Sequence, residues 1–381
     1  MKLTAQVKLQ PTEQQIDALQ RTMVAANRAA NFLSALAWDT KQFRQYDLHH
    51  AAYYALRAQF GLSAQAAVRV ISKVADTYKT DQATQRTFRL LGSVAFDDRI
   101  LRIVPSQRTL SIWTLDGRQH MTFVCGDRQA SLLQGQRGES DLVYRAGEFY
   151  LLVTCDVDEA PGIVPTGFLG VDLGVANIAV DSDGVTHQGK TVRHVRHRHR
   201  RLRQKLQAKG TKSTRRRLKK LAGKERKFAT WSNHIISKRI VAKAKDTNRG
   251  IAIEELGGIR DRVTVRRSQR ATLHSWSFAQ LRRFIEYKAR LNGVPVVAVD
   301  PRNTSRTCPA CGNVDKANRK TQSAFLCVAC GFSGLADHIA AGNIFSRATV
   351  NLPNVSTAQT AVQRQGQSPR LPVSAARHGL E

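Results

Sequence analysis

Long apolar runs are missing from this 381-residue sequence. No stretch of about 18 uncharged apolar residues occurs, so no membrane-spanning helix is expected. The start, Met1 to Val7, has no apolar segment of the signal-peptide kind, which predicts a cytosolic chain. Acids are scarce as well. Asp and Glu number 29 against 60 Lys and Arg, a net charge of +31. Charge on that scale repels itself unless a polyanion neutralises it. Nucleic acid is the first candidate, ahead of an anionic membrane surface. Cysteine is limited to six residues, four of them in two CxxC pairs. In a reducing compartment such pairs read as metal ligands rather than disulfides. What is present is enough for a core: apolar residues make up 42%, which excludes wholesale disorder. At about 150 residues per domain, the length suggests two or three domains.

Lys2 to Leu9 alternates as a short strand. Pro11-Thr12-Glu13 opens a helix that keeps helical spacing through Ile16, Leu19, Met23, Ala26, Ala30 and Leu33. A second helix covers about Leu48 to Gln59. A third follows Gly61, with Ser63 as its N-cap. From about Phe88 to Asp156 the pattern is β-like, with turn signals at Asp116-Gly117 and Arg137-Gly138. This predicts an antiparallel unit, a barrel, completed by the first strand. Pro161 to Gly167 is a linker. Beyond it, strands at Phe168–Val171, Ile178–Val180, Ile251–Ile253 and Val294–Val299 alternate with long helices over 190–250 and from about Ser277 to Leu291. That alternation predicts an α/β domain. The tail after about Asn351 is rich in Ser, Gln, Pro and Thr and is expected to be disordered. Cys125 and Cys155 lie in β-like segments and read as buried apolar residues.

The most specific signal is Cys308-Pro309-Ala310-Cys311-Gly312 followed by Cys327-Val328-Ala329-Cys330-Gly331, with residues 312 to 326 between the pairs. This is the four-thiolate zinc pattern. The glycines after each pair permit tight knuckles. Four protein ligands leave no open position, so the expected ion is structural.

Three carboxylates stand out. Asp172 sits in Gly170-Val171-Asp172-Leu173-Gly174 at the end of an apolar strand, where burial is costly unless the charge is paired or bound to metal. The two glycines would let a phosphate approach the backbone. Glu254 ends a second apolar strand, and alternation sends Glu255 to the opposite face. Asp337 opens a helix of small residues. Hard Mg²⁺ ions prefer oxygen donors, and two of them held about 3.5–4 Å apart suit phosphodiester cleavage. Asp300, after the strand Val296–Val299, is a fourth candidate.

Together these segments resemble the TnpB (OrfB-type) proteins of bacterial insertion sequences, relatives of compact type V CRISPR effectors. The first family motif resembles Gly170 to Gly174. The second matches Ile253-Glu254-Glu255-Leu256 and selects Glu254. Thr304-Ser305-Arg306-Thr307-Cys308 is similar to the family's approach to its ribbon. The third motif matches Asp337 through Ile344, with Ile339 where the family has Asn. The resemblance implies an α/β RNase H-like (RuvC) nuclease domain at 165–304 and 334–350, with a zinc ribbon inserted at 305–333. It implies a helical recognition domain at 11–87 and a β wedge barrel formed by 1–10 and 88–160. It implies catalysis by Asp172, Glu254 and Asp337 holding Mg²⁺, and Zn²⁺ on Cys308, Cys311, Cys327 and Cys330. The implied partners are a guide RNA from the element's end and double-stranded target DNA beside a short adjacent motif, in a bacterial cytoplasm at the nucleoid. A nuclease-inactive RNA-guided regulator and a compact CRISPR effector are the alternatives. A strand-transferring transposase is a third, although no separate end-recognition motif is visible.

Between Arg193 and Lys227 the only acid is Glu225. With the whole chain so positive, this segment reads as a phosphate-binding surface. Its expected contacts are Arg196, Arg198, Arg200, Arg201, Arg203, Arg215, Arg216, Arg217, Lys219 and Lys220. His194, His197 and His199 read as further phosphate or base contacts rather than metal ligands. Trp231, Trp276, Phe278, Phe284 and Tyr287 read mainly as core.

Overall fold

A computed structural model describes residues 1–174, 176–255 and 278–350. The expected tail, Leu256, Trp276 and Ser277 lie outside these residues. The chain divides into two compact units, Met1–Asp158 and Glu159–Glu381.

The first unit opens with β1 (Lys2–Gln10), whose alternate residues Ala5, Val7 and Leu9 are buried. Thr12 starts α1 (Glu13–Thr40) with a capping box: its hydroxyl accepts from the Gln15 amide, and the Gln15 side chain accepts from the Thr12 amide. Such reciprocal bonds satisfy two otherwise orphaned donors. α2 (Gln45–Phe60) ends at Gly61, whose φ of +65° closes the helix. α3 (Ala64–Thr80) begins where Ser63 accepts from the Ala66 amide, as its sequence predicts.

Then follow β2 (Val94–Phe96), β3 (Leu101–Val104), β4 (Thr109–Thr114), β5 (Gly117–Val124), α4 (Asp127–Leu133), β6 (Gln136–Arg145) and β7 (Glu148–Asp156). Their sheet runs β2-β6-β7-β1-β5-β4-β3. The first strand is its centre, antiparallel to β5 and β7, although three helices and further strands lie between it and these partners in sequence. The sheet is an open half-barrel: its edge strands β2 and β3 are not bonded to each other, so the barrel is not closed. Arg137-Gly138 is not a turn between strands either. Gly138, at φ +80°, lies inside β6, where the pairing with β7 shifts register. Both signals share the same residue chemistry, and only the strand pairing separates a bulge from a turn. Cys155 is fully buried and Cys125 packs against the same core.

The second unit contains β8 (Phe168–Asp172), β9 (Asn177–Asp181), β10 (Thr186–Gln188), α5 (Lys190–Lys209), α6 (Lys212–Asp246), β11 (Gly250–Glu254), α7 (Phe278–Leu291), β12 (Val296–Val299), β13 (Ala324–Leu326), β14 (Ser333–Leu335) and α8 (Ala336–Val350). The main sheet has the order β10-β9-β8-β11-β12. β8, β11 and β12 run parallel, while β9 and β10 are antiparallel additions. One face packs Leu169, Val171 and Ile253 against Ile236 and Ile240 of α6 and Leu281 and Ile285 of α7. The other packs Phe168, Ala252 and Val299 against Ile344 and Ala348 of α8. A fully buried side chain of this kind contributes about 1.5–3 kcal/mol, so both faces anchor the strand ends firmly.

Candidate active site and metal centre

β8 and β11 are parallel neighbours with Val171 opposite Ile253. Asp172 and Glu254 therefore leave the same carboxyl edge of the sheet side by side. Binding sites of open α/β sheets form at such edges. α8 brings the third acid. It crosses β8 at Gly170, where an added Cβ would stand 2.2 Å from the Ala341 carbonyl oxygen and 2.6 Å from the Phe345 nitrogen. The missing side chain thus makes room for a helix, not for a phosphate. Gly174 is spent on a tight turn against the Asn177 carbonyl.

Asp337 lies in the first turn of α8. Its carboxylate accepts from Asn177 Nδ2 at 2.9 Å and from Arg319 Nη2 at 3.2 Å. Asp172 records the crowding of charge: burial first, then Glu254 and Asp337, push its pKa up to about 8, against the pull of Arg319. Glu254 is buried and its pKa is raised by that burial; the hydroxyl of Thr304, which donates to its Oε1, holds the rise in check. Thr304 is itself fixed, since Asn343 of α8 donates to the Thr304 carbonyl at 2.7 Å and the Thr307 carbonyl at 2.9 Å. Glu255 points away and pairs with Arg282 at 2.6 Å. Asp300 sits at the rim, exposed, accepting from the Arg302 amide at 2.9 Å and adding to the negative field at Glu254.

The three acids thus share one electrostatic environment. Arg319, Asn177, Thr304 and Asn343 complete it, and sequence reasoning singled out none of their side chains for this role. The spacing Thr304 to Cys308 marked the segment without marking the bond.

The four cysteines form a second centre. Their ligand atoms all lie within 4.8 Å of one another, the only such group of three or more His, Cys, Asp or Glu among the described residues. Cys308 and Cys330 sulfurs are 3.6 Å apart, as are those of Cys311 and Cys327. A tetrahedral zinc with bonds of about 2.3 Å needs sulfurs about 3.8 Å apart, so the residues fit a metal of that size. The two knuckles repeat one backbone pattern. Gly312 donates to the Cys308 carbonyl and Gly331 to the Cys327 carbonyl, each at 3.0 Å, with φ of +73° and +75°. Fully buried Asn318 ties them together, donating to the Arg306 and Asn313 carbonyls and accepting from the Val328 amide. Ile339, the departure from the family motif, packs with Cys308, Phe325 and Cys327. It extends the ribbon's apolar core onto α8.

The basic segment forms α5 and α6. Arg198, Arg200, Arg201, Arg215, Arg216, Arg217, Lys219 and Lys220 are exposed. Arg196 and Arg203 are not. Arg203 pairs with Glu225 at 3.1 Å, and Arg196 is partly desolvated beside the same carboxylate. His199 is buried 3.6 Å from Glu225, which removes it from the accessible contacts. The lone acid of the segment is thus its internal tie. Trp231 departs from the expected core set, being 60% exposed, while Phe278 packs on the core and Phe284 stacks on His234 at 3.9 Å.

Residues 278–344 match the Cas12f1-like TNB domain family. The chain is 38% identical over 128 residues to the CRISPR-associated endodeoxyribonuclease Cas12f1 of Sulfoacidibacillus thermotolerans, covering 33% of this chain and 29% of that protein. It is 34% identical over 131 residues to a TnpB-like protein of Methanocaldococcus jannaschii, covering 34% and 46%. The aligned stretches thus span less than half of either relative. The fold matches more widely: the structure of a Cas12f1–sgRNA–target DNA complex aligns with a TM-score of 0.62 over 86% of this chain and 82% of that one, at 14% identity. In local sequence the chain is similar to the TnpB-like and Cas12f1 proteins, and in fold to Cas12f1.

Proposed function

We propose that the protein is an RNA-guided endonuclease of double-stranded DNA, encoded by an insertion sequence. The observation that carries this reading is the gathering of Asp172, Glu254 and Asp337, from three distant segments, at one sheet edge. The second unit is read as an RNase H-like (RuvC) domain, which its strand order β10-β9-β8-β11-β12 supports. Residues 305–333 are a zinc ribbon, and residues 11–87, with the half-barrel of 1–10 and 88–160, are the recognition and wedge regions. The name of the similar Cas12f1, an endodeoxyribonuclease, supports cleavage of DNA.

The acid site fits hard divalent cations. Its donors are all carboxylate oxygens, and burial, followed by the charges of Glu254 and Asp337, raises the proton affinity of Asp172. Asp172, Glu254 and Asp337 would hold Mg²⁺, which when bound supplies water activation and charge neutralisation at the leaving oxygen. The chain's own part is positioning. Thr304 keeps Glu254 turned to the site, and Asn177 and Arg319 fix the Asp337 carboxylate. Such preorganisation is where a protein supporting phosphoryl chemistry contributes. The exposed cations of α5 and α6 would hold the guide–target duplex by its phosphates.

The test is cleavage by protein purified with co-expressed RNA, given Mg²⁺ and matched target, beside Asp172→Ala. Cutting by wild type alone supports the reading. Tight binding with the DNA left whole by wild type establishes the nuclease-inactive regulator instead.

A further inference from the structure

The cysteine cluster has an asymmetry that holding a structural ion does not require. Cys308 and Cys327 are buried, at 1% and 2% exposure, while Cys311 and Cys330 are exposed. Each short sulfur separation joins one of each kind. Exposed Cys330 lies 3.6 Å from buried Cys308, and exposed Cys311 lies 3.6 Å from buried Cys327. Both pairs also cross between the two knuckles, since Cys308 and Cys311 belong to the first and Cys327 and Cys330 to the second. The setting favours thiolate. From Ser305 to Ser333 the charged side chains are Arg306, Asp315, Lys316, Arg319 and Lys320, and neighbouring cations, like a bound metal, hold sulfur deprotonated. Thiolate character combined with solvent access is what makes a cysteine oxidisable.

The ribbon is also tied to the acid site. Arg319 donates to Asp337 at 3.2 Å. Thr304, just ahead of Cys308, donates to Glu254. The Thr307 carbonyl, next to Cys308, accepts from Asn343 of α8 at 2.9 Å. Ile339, in the first turns of α8, packs with Cys308 and Cys327. A ribbon that loses its fold therefore releases groups that hold two of the three acids.

We propose that Cys311 and Cys330 are an oxidation site for hydroperoxides, and that their oxidation opens the ribbon and loosens the start of α8. The Cys330 thiolate attacks one peroxide oxygen, the O–O bond breaks, and hydroxide leaves a sulfenic acid behind. The thiolate of Cys308 then attacks that sulfur, forming the S–S bond and expelling a second hydroxide. Two thiolates are oxidised and one peroxide is reduced. Cys311 and Cys327 do the same with a second peroxide. Each disulfide removes two of the four donors for zinc, and a dithiol with added zinc reverses the change. The proposal rests on the zinc reading of the ribbon and not on cleavage.

The experiment uses the full-length protein freed of reductant, its zinc content measured first. Hydrogen peroxide is added, and zinc release is followed with 4-(2-pyridylazo)resorcinol. Disulfides are mapped by mass spectrometry, and hydrogen exchange is measured over residues 337–344. About one zinc per chain should be released, with disulfides joining Cys308 to Cys330 and Cys311 to Cys327. Exchange should rise by about tenfold or more, equivalent to about 1.4 kcal/mol of local stability. Dithiothreitol with zinc should restore both. Zinc accepts two cysteines and two histidines, so Cys311→His/Cys330→His should keep its ion through the same treatment. Zinc retained by the peroxide-treated wild type overturns the proposal. Oxidation confined to Cys125 and Cys155 overturns it as well, as does zinc release from the histidine variant at the wild-type rate. Unchanged exchange over 337–344 after zinc release overturns the link to the acid site. A folded protein that holds no zinc before treatment refutes the zinc reading itself.

Discussion

Thr304→Val keeps the volume of the side chain and removes the hydroxyl that donates to Glu254 and lies 3.1 Å from the Pro301 carbonyl. Thr304 is 3% exposed and donates to a buried carboxylate. Hydrogen bonds to charged groups contribute about 1.5–3 kcal/mol, so the variant should lose about 2 kcal/mol at neutral pH. For a unit of 150–250 residues that lowers the melting temperature by about 4–8 °C. The pH dependence carries the sharper test. The folded pKa of Glu254 is raised by burial and held down by Thr304. A carboxyl raised in the folded state costs stability above its folded pKa and costs nothing once protonated below its unfolded value. Removing Thr304 raises it further, so the deficit of the variant should be full above the folded pKa and shrink as pH falls toward the unfolded glutamate range, near 4.5. Thermal unfolding of both proteins across this range measures it. A gap that does not change with pH would refute the role given to Thr304, and so would the absence of any gap at neutral pH.

Other substitutions test other joints. Cys308→Ser should lower zinc content and folding yield together, because metal binding and ribbon folding are one equilibrium; a zinc-free preparation of normal stability would contradict a structural ion. Gly170→Ala puts a methyl group against the α8 backbone and should cost about 1–3 kcal/mol, with loss of cleavage larger than the stability change explains because Asp337 moves with the helix. Chemical denaturation and cleavage rates on the same sample check both. Replacing Arg215, Arg216 and Arg217 with Gln should reduce the slope of log affinity against log salt by about 0.9 for each lost duplex phosphate contact; an unchanged slope would remove those residues from the interface.

Much of this architecture was legible in local chemistry. Ser63 and the CxxC spacings name their own positions, since a cap needs only its next three residues and a knuckle only its next glycine. The three acids were legible as motifs, each on a recognisable strand end or helix start. Features that depend on packing between distant segments were not. The bonds from Arg319 and Asn177 to Asp337 join residues 18 and 160 positions apart, and no local pattern signals them. Gly170 looks the same whether its empty side faces a phosphate or a helix. Arg196, Arg203 and His199 share a basic run with exposed neighbours, and only the position of Glu225 on the facing helix turns them inward. Trp231 is exposed although its ring suits a core, and the half-barrel stays open although its strands alternate as a closed barrel's would.

The most direct examination of the acid site is anomalous diffraction from the RNA-bound protein soaked in Mn²⁺. Manganese peaks are expected between the carboxylates of Asp172, Glu254 and Asp337 and should be lost in Asp172→Ala. A pocket free of manganese, in a protein that still needs the ion to cut DNA, would contradict it.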